Sequence, residues 1–323
     1  MIRLFLENRV GALLVLPFFV GFYVLLNIQF PYYQMSVQTN LGFWSDLFSG
    51  SFWLNSLLGG LFILINAISL NWIFNSHEFL DRNSYIVSLL YVVTMSFYHS
   101  FYSIDGLLLA QTFIILMLSQ FFQLKQNVDG RRNVFNGFFF AGVAATFHPF
   151  VIFSFPILIA MVLIIRPFVF REFFLAIAGF CIPLLYAFVY LWYFDNQLNF
   201  KILENSSNFQ LQTDFIITLV LFGILLALGT FSLRNRMQKS SVRLKKQIQI
   251  VWLLIFVAFS FGLIDVIYFH QIERFSLLLI PLSMLLTYSF LHKSYGIISS
   301  LVFYLAIIYS VVKFFVFLPT PQS

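Results

Sequence analysis

The stretch VFNGFFFAGVAATFHPFVIFSFPILIAMVLII, from Val134 to Ile165, decides how this chain folds. A helix crosses a hydrocarbon core of about 30 Å with roughly 20 apolar residues. The run is too long for one crossing and long enough for two short ones. Its only break is Thr146-Phe147-His148-Pro149, and Pro149, lacking an amide hydrogen, cannot continue a helix ladder. The run therefore reads as a helical hairpin, with spans at 134 to 148 and 150 to 165.

The same rule, carried outward, gives eleven apolar spans in all: about 10 to 28, 53 to 74, 84 to 99, 106 to 123, the two hairpin arms, 173 to 193, 215 to 233, 248 to 268, 275 to 291 and 295 to 317. The basic residues test the count independently, because short cytoplasmic loops are enriched in Lys and Arg. With the N-terminus inside, Arg3, Arg9, Arg82, Lys125, Arg131, Arg132, Arg166, Arg171, Arg234, Arg236, Lys239, Arg243, Lys245, Lys246 and Lys293 share the cytoplasmic side. These are fifteen of the eighteen Lys and Arg; Lys201, Arg274 and Lys313 fall opposite. Removing the hairpin break would reverse every later loop and destroy the asymmetry. The expected fold is an all-α, polytopic transmembrane helix bundle of about eleven helices, N-in and C-out.

Composition agrees. Over 323 residues the chain is 61% hydrophobic, 20% aromatic and 9% charged, with a mean hydropathy of +0.92, whereas soluble domains carry about a quarter charged residues. Forty-six Phe leave too little polar surface to coat a globule. A cytosolic enzyme and a nucleic-acid partner are both excluded. Residues 1–323 read as a single transmembrane domain. It has an interfacial segment near 41–50, Leu41 to Gly50, and a basic cytoplasmic loop at 234–247 that faces anionic headgroups. Met1 to Arg9 lead into a retained first helix, since no small-residue cleavage site follows. The single Cys181, inside the run Phe173 to Trp192, forms no intramolecular disulfide and reads as a small packing residue.

No phosphate-binding Walker loop, no dinucleotide glycine fingerprint and no serine nucleophile elbow occurs. Nor do the spans divide into two related halves with paired broken helices, as a secondary transporter's should. What remains for chemistry is the set of ionisable groups at or near membrane depth, where they are costly and so the first functional candidates. Asp46, His99, Asp105, His148, Asp265, His270, Glu273 and Arg274 all fall on the extracytoplasmic side. Arg274, wedged between two spans, offers a guanidinium fork for phosphate, or else closes its loop by pairing with Asp265 or Glu273. His99 and Asp105 offer a base and its orienter, or Asp105 caps the following helix. His148 is a ligand or the turn residue of the hairpin. The histidines lack helical spacing to one another, so no metal is assigned, and the sequence names no cofactor. On the cytoplasmic side His77-Glu78-Phe79-Leu80-Asp81-Arg82 lacks the second His of a metalloprotease motif and reads as a solvated turn.

Three features carry a resemblance. A first helix is followed by an extracytoplasmic loop with an interfacial segment. Arg82-Asn83-Ser84-Tyr85 runs through Tyr98-His99-Ser100-Phe101-Tyr102 into a Leu-rich helix, and Arg274-Phe275-Ser276-Leu277-Leu278-Leu279-Ile280-Pro281 leads a helix with Arg and Pro. Over roughly residues 1 to 290 this order resembles the membrane-embedded GT-C glycosyltransferases. As a whole the chain is similar to an uncharacterised integral-membrane family of Bacteroidota, sometimes labelled beta-carotene monooxygenase. The GT-C resemblance implies a polyprenyl-phosphate-linked glycan, such as an undecaprenyl phosphate conjugate, handled at the periplasmic face of a bacterial inner membrane. By position, Asp46 would be the acid or base, with His99 and Asp105 beside it. Arg274 with His270 would grip the lipid phosphate, and His148, Asp265 and Glu273 would line the cavity. Those enzymes usually place an acidic residue, often a pair, just after the first helix, whereas Ile28 to Ser45 holds none. The alternative is a non-catalytic scaffold subunit of an envelope or secretion complex, bound to a small membrane-protein partner. If the shared layer exists, Arg274 should face the bundle interior and a hydrophilic cavity should open beside it.

Overall fold

The computed structural model describes residues 2–6, 11–29, 42–44, 52–97, 104–126, 128–193, 213–269, 273–290 and 296–316. Every regular element among them is helical. The single turn α1 (Ile2–Leu6) is followed by α2 (Gly11–Gln29), α3 (Phe52–Ser76), α4 (Ile86–Met95), α5 (Gly106–Gln123), α6 (Arg131–Phe147), α7 (Phe155–Ile165), α8 (Phe170–Tyr193), α9 (Thr213–Lys239), α10 (Val242–Ile264), α11 (Leu279–Leu286) and α12 (Gly296–Val316). The eleven elements after α1 coincide in order with the eleven apolar runs. Five of the described helices are long and apolar enough to cross a membrane, at Gly11–Gln29, Trp53–Ser76, Gly106–Gln123, Phe170–Tyr193 and Val242–Ile267.

Local chemistry sets the boundaries. Asp105 starts α5 by accepting the Gly106 N–H at 2.6 Å, and Ser241 starts α10 by accepting the Leu244 N–H at 3.3 Å; both are side-chain caps of otherwise unpaired amides. α6 stops at Phe147 because Pro149 removes a donor and pushes His148 into extended backbone (φ −135°, ψ 96°). The chain restarts as a 3₁₀ helix, Pro149–Ser154, and then α7. The two arms touch at two places, midway along α6 and beyond their open ends. Phe138 and Phe155 meet ring to ring at 5.6 Å, and Arg166 Nη1 donates to the Val128 carbonyl at 3.1 Å.

α4 and α11 form the centre, with every residue buried. α8 lies outside, against α6, and the two backbones approach through glycines. A Cβ on Gly142 would collide with the Phe180 carbonyl, and one on Gly179 would stand 2.6 Å from the Phe135 carbonyl oxygen. Such small-residue seams replace the hydrophobic drive that helices lack in lipid. With one face so engaged, α8 turns the others outward, and Leu185, Tyr186, Phe188 and Trp192 are exposed. Cys181 is exposed with them, which corrects its reading as a packing residue: its neighbour Phe180, not Cys181, points into the bundle. The basic segment at 234–247 is also corrected. α9 runs to Lys239 and α10 starts at Val242, so it is two helix ends joined at Ser240 and Ser241 rather than a loop.

The bundle has two chemically distinct ends. At one, Arg243 Nη2 lies 3.4 Å from His77 Nδ1, Lys246 Nζ donates to the Ile165 carbonyl at 2.8 Å, and Arg166 pairs with Glu172 at 3.1 Å. This is the basic end. At the other end lie the hairpin tip, the junction of α10 with the following segment, and the start of α5.

Candidate functional site

The described core of the site sits where α10 ends. A π-turn, Asp265–Phe269, extends α10, and after a short gap a 3₁₀ helix, Glu273–Leu278, leads into α11. Asp265 and Arg274 face each other across that gap. Arg274 Nη1 lies 2.7 Å from Asp265 Oδ1, with side chains only 7% and 1% exposed, and the Arg274 N–H donates to Asp265 Oδ2 at 3.2 Å. The carboxylate thus meets both the side chain and the backbone of one residue, which fixes the chain reversal.

The hairpin tip closes over this pair. The Arg274 guanidinium carbon stands 3.6 Å from the centroid of the Phe150 ring, a cation–π contact that gains strength where water is excluded. The His148 and Phe150 rings lie 5.9 Å apart at 29°. His148 is within electrostatic reach of Arg274, and its Nε2 is buried with no hydrogen-bond partner. Arg274, Asp265 and His148, far apart in sequence, therefore share one layer. Arg274 is turned to the bundle interior, not to the surface.

The segment between α2 and α3 reaches the same tip. Gly42–Trp44 forms one 3₁₀ turn, whose Trp44 indole N–H donates to Thr146 Oγ1 at 3.2 Å and whose ring lies 4.9 Å from Tyr190. Gly42 holds φ +64°, and a Cβ there would collide with the Phe147 carbonyl; only glycine tolerates both conditions. This part of the expected interfacial segment is seated on α6 and α8. Asp46, two residues further along the chain, lies outside the described residues, as do His99 and His270.

Asp105 is half-buried at the start of α5. Burial pushes its carboxyl up to about 6, against the opposing pull of the Gly106 and Leu107 amides. Its oxygen caps the helix, so the capping alternative is the contact observed. Glu273 opens the 3₁₀ helix, its side chain lying outside the description. Among the described residues no group of three or more His, Cys, Asp or Glu converges as metal ligands would.

A small cavity between α5, α7, α10 and the Glu273–Leu278 turn is lined almost wholly by apolar side chains, Leu277 among them.

Sequence reasoning passed over three features. Phe150 carries no charge, and its role appears only once the hairpin folds back on Arg274. The buried Arg166–Glu172 pair was hidden because the two residues straddle a turn at Pro167, off any helical spacing. A neutral triad lies deep in the bundle, where the Tyr91 hydroxyl donates to Gln111 Oε1 at 2.5 Å and accepts from Asn66 Nδ2 at 3.4 Å. Asn66 and Gln111 inside apolar runs were its available signal, since such amides bond across helices.

Comparison of the chain with protein-family models, with curated proteins and with solved structures finds no match. A functional reading therefore rests on its own residues.

Proposed function

We propose that the chain is a multi-pass protein of the bacterial inner membrane, N-in and C-out, that handles a lipid-carried phosphate at the periplasmic end of its bundle. A polyprenyl-phosphate-linked glycan, such as an undecaprenyl phosphate conjugate, is the ligand class, as in a GT-C-like glycosyltransferase. The observation that carries the reading is the burial of Arg274 in the layer with Asp265, Phe150 and His148. A cation kept at membrane depth is costly, by about 3 kcal/mol on insertion scales, and a guanidinium presents the fork that phosphate oxygens accept. A phosphate arriving there would compete with Asp265 for the same nitrogens. Asp105, with its carboxyl near 6, is suited to exchange a proton close to neutral pH. Asp46 and His99 complete the proposed catalytic set, and His270 is assigned with Arg274 to the phosphate.

Purified protein in lipid nanodiscs should bind undecaprenyl phosphate, and Arg274→Ala should weaken that binding at least tenfold. Equal binding by the variant would remove the phosphate role. Loss of glycosyl transfer in a folded Asp46→Asn variant would support catalysis.

The ion pair also favours a second reading. Asp265 already neutralises Arg274 and Asp105 already caps a helix, an arrangement that suits a non-catalytic scaffold for a small membrane-protein partner. A stable stoichiometric partner in mild detergent, with no lipid phosphate bound, would select it.

A further inference from the structure

Two indoles stand near opposite ends of α3, on its outer side. Trp53 lies at the start of the helix and Trp72 one turn before its end, and they are 61% and 59% exposed. Nineteen residues separate them, about 28 Å at 1.5 Å per residue, which matches the roughly 30 Å of a bilayer's hydrocarbon core. Between them Leu57, Leu61, Ile65 and Ile68 are all exposed, and their three- and four-residue steps put them along one helix face. Polar contacts bracket this band. At the Trp53 end the Asn55 carbonyl accepts the Ile104 N–H at 3.1 Å, beside the start of α5. Beyond Trp72, His77 meets Arg243 at the basic end. Tryptophan favours the membrane–water boundary, where its ring lies at headgroup level.

The neighbouring helices keep to the same band. The chain start is tied to the far end of α3, because the Tyr85 N–H donates to the Phe5 carbonyl at 2.7 Å and the Ser84 N–H donates to Asn75 Oδ1 at 3.1 Å. α2 therefore runs antiparallel to α3. Their register is set where Gly60 admits Val24, whose Cγ2 would stand 2.5 Å from any Cβ there. Counted from that contact, the exposed Leu14, Phe18, Phe22 and Leu25 stand opposite Leu70, Asn66, Phe62 and Gly59, all between the two indoles. α12 runs the same way as α2. Its Phe303 meets Phe290 at 5.7 Å, near the Tyr288 hydroxyl that donates to the Phe79 carbonyl at the basic end, and its later Tyr309 meets Phe97 beyond the end of α4. The Tyr23 hydroxyl and Ser310 Oγ lie 2.8 Å apart. Counted from there, the exposed Leu301, Leu305 and Ile308 stand level with Leu14, Phe18 and Gly21, again inside the band.

We infer that the outer face of α2, α3 and α12 meets the acyl chains of the bilayer directly, with Trp53 at one headgroup layer and Trp72 at the other. The inference rests on the multi-pass part of the proposed function, not on its ligand, and adds the face, its level and its thickness. Helices that dock on one another in lipid do so through small residues, as α6 and α8 do at Gly142 and Gly179. This face presents chiefly Leu, Ile and Phe, the side chains that acyl chains accept without a matching seam.

The test uses the full-length protein in vesicles of phosphatidylcholine brominated either near the headgroup or near the chain end. With Trp53 or Trp72 kept as the only tryptophan and the others changed to Phe, fluorescence should be quenched at least twofold more by the shallow bromine. Leu61→Trp in a chain otherwise free of tryptophan should show the opposite order. Because Trp44→Phe removes the bond to Thr146 and could disturb the fold, a second measurement leaves every tryptophan in place. Spin labels are attached to Ile65→Cys, Phe18→Cys and Leu305→Cys, all exposed positions, in a Cys181→Ala background. The three labels should report one depth, with high collision rates for oxygen and low ones for a water-soluble nickel complex. Deep-bromine quenching of Trp53 or Trp72 as strong as that of Leu61→Trp, or labels shielded from oxygen and nickel alike by a protein partner or a second copy, would overturn the lipid-facing assignment and leave the multi-pass reading standing. Quenching by neither bromine at any position would overturn both.

Discussion

Arg166 shows how much one side chain organises at the basic end. It pairs with Glu172 at 3.1 Å with both side chains under 10% exposed, donates to the Val128 carbonyl at 3.1 Å, and lies so close to Gly130 that any Cβ there would collide with its guanidinium. Removing one partner of a buried pair strands the other charge, a loss of about 3 to 5 kcal/mol. Glu172→Ala should therefore lower the unfolding temperature sharply, whereas exposed Arg131→Ala should leave it within error. His77 sets a pH dependence at the same end. Burial, helped by the charge of Arg243, holds its imidazole down at about 4, against an ordinary 6.5. A base whose folded pKa is depressed binds its proton more readily unfolded, so stability falls as pH drops from about 6.5 to about 4 and levels off below. Thermal unfolding of His77→Gln should lose that slope across the window, and an unchanged slope would assign it to other groups.

At the scale of elements, the hairpin was legible because a single proline interrupts a run too long for one span, and the structure breaks at His148 and Pro149. The start of α5 was legible in Asp105, a cap residue standing before an apolar run, whereas that of α10 was not, because the basic stretch Arg243 to Lys246 follows its cap Ser241. The seam between α6 and α8 was not, because glycine contributes nothing to hydropathy, and only the fold reveals that Gly142 and Gly179 meet opposing carbonyls. Gly142→Val should force the two helices apart and cost about 1 to 3 kcal/mol, the usual range for overpacking, while Gly223→Val, where nothing stands within 4 Å, should be tolerated. Equal melting of the two variants would show that the close approach is not needed. The basic segment at 234–247 misled for a related reason: Lys and Arg favour helices as readily as turns, so charge marks the side of a membrane better than it marks a loop.

For the whole molecule, hydropathy foretold the order of the helices after α1, since the length of an apolar run follows from the bilayer as solvent. In the polar layer the sequence offered the Arg274–Asp265 pair as one of two alternatives, and the pair is the contact observed, while the place of Phe150 and His148 against it was not legible. These contacts depended on two 3₁₀ turns and a π-turn that no periodicity announces, and these put Arg274 on Asp265 and under Phe150. The central claim is that this pair is a phosphate seat and not merely a lock. Substituting both partners by neutral amides, Asp265→Asn with Arg274→Gln, keeps the fold free of a stranded charge and so isolates the question. The measurement is the rise in unfolding temperature when undecaprenyl phosphate is added to the protein in nanodiscs. A clear rise in the wild type that vanishes in the folded double variant is the predicted result; the same rise in both would contradict the account.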